Sequence, residues 1–156
     1  VSTKFKTLSA DSIRYLVVHC AATPPEMDIG AKEIDLWHRQ RGWSGIGYHF
    51  VIRRDGRVEA GRPLDRPGAH AQGFNLLSWG ICLVGGVTEA GANGDAENNF
   101  TDAQFEALES TLRWLQQLAP EAVVLGHRDL PSPHARLKAC PSFDAQGWWA
   151  AVNSEE

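Results

Sequence analysis

The chain has 156 residues, with 15 Lys and Arg against 19 Asp and Glu, which gives a formal net charge of −4. That length suits one domain, and 43% hydrophobic with 22% charged residues excludes a disordered chain. Three Cys exclude a disulfide scaffold, the lack of any apolar run of about 18 residues excludes a membrane-spanning helix, and the mild acidity argues against nucleic-acid binding.

Val1–Leu8 is polar, carries Lys4 and Lys6, and does not read as a signal peptide. Ile13–Cys20 (IRYLVVHC) is an apolar, β-rich run and predicts a buried strand. Gly30–Arg41 places Ile34, Trp37 and His38 at helical spacing and is stopped by Gly42. Tyr48–Arg53 and Arg57–Ala60 flank Arg54-Asp55-Gly56, a hairpin signal because glycine accepts positive φ. Gly80–Val84 predicts another buried strand, ended by Gly85-Gly86, and 88–99 reads as a surface loop.

Thr101-Asp102-Ala103-Gln104 is a capping-box pattern. Behind it Phe105, Leu108, Leu112, Leu115 and Leu118 form one apolar helical stripe, ended at Pro120. Ala122–Leu125 predicts a short strand, Gly126–Pro141 an irregular loop, and Ser142 a cap for a terminal helix with Trp148 and Trp149. Interleaved strands and helices with one hairpin predict an α/β fold: a central mixed sheet of about five strands with helices on both sides. No repeat or linker divides the chain, so residues 1–156 are expected to form one domain.

His19 near the end of the first strand, His127 just after the last strand and Cys140 beyond it are three potential zinc ligands. Catalytic zinc takes three protein ligands and leaves one position open. Their spacing is no compact finger signature, however. A strand histidine also serves as a hydrogen-bonded core residue, and a free cysteine as a small buried hydrophobe, so both readings stand on spacing alone. Strand alternation turns His19 and Cys20 to opposite faces, and likewise Tyr48 and His49. Lys138 and Cys140, two apart before Pro141, can project to one side, where an ammonium can stabilise an oxyanion.

Six blocks occur in order: VVHCAAT (17–23), GWSGIGYHFVIRRDGRVEAGR (42–62), GAHAQGFN (68–75), SWGICLVGG (78–86), NFTDAQ (99–104) and KACPSFD (138–144). Together they resemble the type 2 N-acetylmuramoyl-L-alanine amidases over about residues 13–150, with the phage enzymes nearest in pattern. Peptidoglycan recognition proteins share that family's fold. The resemblance implies a hydrolase with one catalytic Zn²⁺, which cleaves the amide between the lactyl group of N-acetylmuramic acid and the L-alanine of the stem peptide.

Motif by motif, the resemblance implies His19, His127 and Cys140 as metal ligands, Tyr48 and Lys138 as catalytic residues, and His70 in the substrate groove. It further implies a monomeric phage or prophage endolysin with peptidoglycan as its partner, held in the host cytoplasm until it reaches the wall. Two rival classes follow. A non-catalytic peptidoglycan-binding module on the same fold is disfavoured by Cys140, which binding-only relatives typically lack. A structural zinc protein would need a fourth ligand such as His134, in a loop longer than in the most similar phage enzymes; the expected role of His134 is solvent-facing.

Overall fold

The computed structural model describes residues 7–89, 94–132 and 139–154. Its elements run β1 (Tyr15–Cys20), α1 (Ala31–Gln40), β2 (Phe50–Ile52), β3 (Val58–Ala60), β4 (Ser78–Leu83), α2 (Asp102–Leu118), β5 (Val123–Gly126) and α3 (Ala145–Ser154). One five-stranded sheet has the order β3-β2-β4-β1-β5. Among the described strands of the sheet, only the β2–β3 pair is antiparallel; β1 runs parallel to β4 and β5, and β2 runs parallel to β4. The mixed sheet agrees with the sequence reading. At the hairpin Gly56 takes φ +91°, a conformation open to glycine at little cost.

Both faces of the sheet are covered, which explains why β1 and β4 read as nearly unbroken apolar runs. Period-two alternation divides them. Leu16, Val18, Trp79, Ile81 and Leu83 pack with Leu108, Leu112 and Leu115 of α2 and Trp149 of α3. On the opposite face, Val51 and Cys82 pack with Ile34 of α1, and Val17 packs with Ala71, Leu125 and Leu130. The register on that second face sets Tyr15 beside Ser78, Val17 beside Gly80 and His19 beside Cys82. The α2 stripe holds at Leu108, Leu112 and Leu115, which are fully buried, each worth about 1.5–3 kcal/mol, and at the partly buried Phe105, but Leu118 at its end is exposed.

One capping expectation fails. Ser142 does not cap α3; it has φ +71°, and its hydroxyl donates to the Gly86 carbonyl at 2.9 Å. Asp144 does the capping, accepting the Gly147 N–H at 3.1 Å. The loop after β5 opens with a 3-10 turn, His127–Asp129.

Candidate metal centre and catalytic cleft

His19 is brought to the second face by the alternation of β1 and is 2% exposed. His127 opens the 3-10 turn directly after β5, the strand beside β1. The Asp129 carboxylate accepts the Gly126 N–H at 2.9 Å and fixes that turn, and the Arg128 N–H donates to the Cys140 carbonyl at 3.0 Å. A Cβ at position 126 would lie 2.7 Å from Pro141 Cδ, so glycine there lets the Cys140 segment close on the turn.

The ligand atoms of His19, His127 and Cys140 consequently lie within 4.8 Å of one another. His19 Nδ1 is 3.8 Å from Cys140 Sγ. Bonds of 2.0–2.3 Å to a tetrahedral zinc put two imidazole nitrogens and a thiolate about 3.3–3.6 Å apart, so this donor set suits that ion once the three groups draw in slightly.

The electrostatics suit a cation. Burial, then the nearby His70 and His127 rings, push His19 well below the ordinary imidazole range, which keeps it neutral with a lone pair to offer. The Cys20 thiol and burial push the Cys140 thiol well up, while the Cys20 N–H, donated to Cys140 Sγ at 3.1 Å, favours a thiolate. A bound cation shifts such a thiol to its thiolate outright.

These groups floor a cleft of about 700 Å³, walled by Tyr48, His38, Trp43, His70 and Leu130 among others. Tyr48 precedes β2, and its ring centroid lies 5.0 Å from that of His19. Burial, then the neighbouring thiols, raise its phenol well above the ordinary range, so the hydroxyl is a donor. His49 does not line the cleft; its Nδ1 accepts the Gly80 N–H at 3.1 Å, and its Nε2 donates to the Arg66 carbonyl at 2.8 Å.

His70 lines the cleft, with its Nδ1 2.8 Å from His19 Nε2. His38 also reaches the cleft wall, and its Nδ1 accepts the Gly47 N–H at 2.9 Å. Its helical spacing with Ile34 gave the sequence reading no sign of this. Lys138 and His134 lie outside the described residues. Ser78 and Gly80 face His70 from β4, a placement that only the strand pairing sets.

The chain matches the N-acetylmuramoyl-L-alanine amidase family over residues 9–143. It is 49% identical over 134 residues to an endolysin of Klebsiella phage KP32, which covers 86% of this chain and 83% of that protein. It is 44% identical over 139 residues to an endolysin of Escherichia phage T7, with coverage of 89% and 87%. Among solved structures, the N-acetylmuramoyl-L-alanine amidase LysC from Clostridium intestinale URNW matches with a TM-score of 0.74 at 29% identity, over 98% of this chain and 95% of that one. A bumblebee peptidoglycan-recognition protein, PGRP-SA, matches with a TM-score of 0.72 at 24% identity, over 96% and 87%, and shares the fold. With the family match spanning most of the sequence and phage relatives at this identity, the chain belongs to the N-acetylmuramoyl-L-alanine amidase family.

Proposed function

We propose that this amidase is a zinc-dependent endolysin that hydrolyses the bond between the lactyl group of N-acetylmuramic acid and L-alanine, using His19, His127 and Cys140 to hold the ion. The convergence of those three donors within 4.8 Å at the floor of the cleft carries the reading. A bound zinc supplies Lewis-acid chemistry, polarising a carbonyl and lowering the pKa of water to about 7. The Tyr48 hydroxyl donates a hydrogen bond that orients the scissile carbonyl or the attacking water. The Lys138 ammonium, two residues before Cys140, meets the negative charge that develops on the carbonyl oxygen. Residues 1–156 act as one domain and as a monomer, accumulating in the host cytoplasm before reaching the wall.

The test is incubation of the full chain with purified muropeptide, with and without a chelator, and assay for new L-alanine amino termini. Release that the chelator abolishes and zinc restores supports the reading. No release at saturating zinc overturns it and leaves a binding module.

A further inference from the structure

We propose that His70 is a positioning residue that acts on the metal centre through His19, fixing which ring nitrogen His19 offers. This rests on the zinc reading above and deepens it.

The hydrogen bonds form a chain whose direction is set at its far end. The Phe74 carbonyl can only accept, so the Ser78 hydroxyl, 2.8 Å away, donates its proton there. The Ser78 oxygen then faces His70 Nε2 at 3.4 Å as an acceptor, and Nε2 carries the hydrogen. In a neutral ring that leaves His70 Nδ1 as a lone pair. It lies 2.8 Å from His19 Nε2, so His19 carries its hydrogen on Nε2. The remaining lone pair of His19 is on Nδ1, the atom that faces Cys140 Sγ. The chain therefore holds the ligand in the one tautomer that points a bare nitrogen at the metal position.

The His70 ring has a built seat. A Cβ at position 80 would lie 2.7 Å from His70 Cγ and Nδ1, and a Cβ at position 68 would lie 2.5 Å from Cδ2. Such distances are far inside van der Waals contact, so both positions must lack a side chain for the ring to lie where it does. The backbone is pinned as well, since Asn75 Oδ1 accepts the N–H groups of His70 and Ala71, both at 3.0 Å. With both nitrogens committed inside the protein, His70 contributes to the cleft as a wall and to the centre as an orienter. Outer partners of ligating histidines typically change metal affinity about 10–100-fold when removed.

Two measurements on the full chain test this. The first is nitrogen-15 NMR of the imidazoles in metal-free wild type, which is expected to find His19 protonated on Nε2 and His70 on Nε2. The second is zinc affinity by competition with a chromophoric chelator. His70→Leu is expected to lose about 10–100-fold. His70→Asn, which keeps an acceptor oxygen near the Nδ1 position, should recover most of that loss. Gly80→Ala keeps every polar group but evicts the ring, and should weaken zinc as His70→Leu does. His19 protonated on Nδ1 in the wild type, or wild-type affinity in His70→Leu, overturns the proposal. The NMR measurement needs no variant to fold. A wild-type chain that binds no zinc would instead overturn the metal site itself.

Discussion

His49 follows the proposed catalytic Tyr48 and turns away from it into full burial. Burial holds its imidazole down at about 4, helped by Arg62 and opposed by its bond to the Arg66 carbonyl. The folded chain thus refuses a proton that the unfolded chain takes up near the ordinary value of about 6.5. Stability is unaffected by this group above about pH 6.5, falls as the pH drops below it, and levels near pH 4, a loss on the order of 3 kcal/mol. Denaturant titrations at pH 7 and pH 4.5 should show a smaller acid loss in His49→Gln than in wild type, even though that variant starts less stable. An equal acid loss in both would assign the effect to other groups.

Also at this scale, Cys140→Ser should lose zinc and activity together, as read by metal analysis and L-alanine release. Lys138→Ala should retain zinc and lose about 10²–10³-fold in kcat, the usual worth of one oxyanion donor. Unchanged kcat would remove Lys138 from the mechanism.

Among the elements, α2 is joined to the sheet by its own cap. Thr101 Oγ1 accepts the Gln104 N–H at 3.1 Å, and Gln104 Oε1 accepts the Thr101 N–H at 3.0 Å. That reciprocal pair is what the Thr-x-x-Gln pattern predicts. The amide has a second task, however. Gln104 Nε2 donates to the Ile52 carbonyl at 3.1 Å and the Val84 carbonyl at 2.8 Å, one at the end of β2 and one just past β4. Gln104→Leu should therefore cost on the order of 3 kcal/mol, since it leaves the Thr101 N–H without its side-chain acceptor and strips a donor from two buried carbonyls, while the Thr101 hydroxyl still caps the helix. A lowered urea midpoint with an unchanged m-value is the expected signature. Zinc affinity should be unchanged, because Gln104 lies under α2 on the far side of the sheet from His19.

For the whole molecule, the three donors join β1, the turn after β5 and the segment leading to α3. Zinc bound there would tie together parts of the chain that unfolding separates. At a free concentration about a thousandfold above its Kd it should add about 4 kcal/mol to stability. Scanning calorimetry should show Tm rising with zinc and falling with a chelator. In Cys140→Ser the same additions should move Tm far less. A wild-type Tm that ignores zinc would contradict a site closed by these residues.

Much of this was written in the sequence, for local reasons. Alternating and continuous apolar runs, the Asp55-Gly56 turn and the Thr101 cap are decided by neighbours a few residues apart, so the mixed α/β fold was legible. So were the chemical types of His19, His127 and Cys140. Ser142 was misassigned because Ser and Asp both cap helices, and its left-handed backbone and its hydroxyl's bond to the distant Gly86 carbonyl are features no local pattern shows. Likewise His70 stood out only as a groove residue. Its bond to His19, its seat on Gly80 and its link to Ser78 depend on the register of β1 against β4 and on how the 68–75 loop folds over them. The sequence by itself determined which side chains could do the chemistry. Only the tertiary structure decided that donors 121 residues apart meet, and which nitrogen each ring presents, because parallel pairing and close packing between distant segments set those distances.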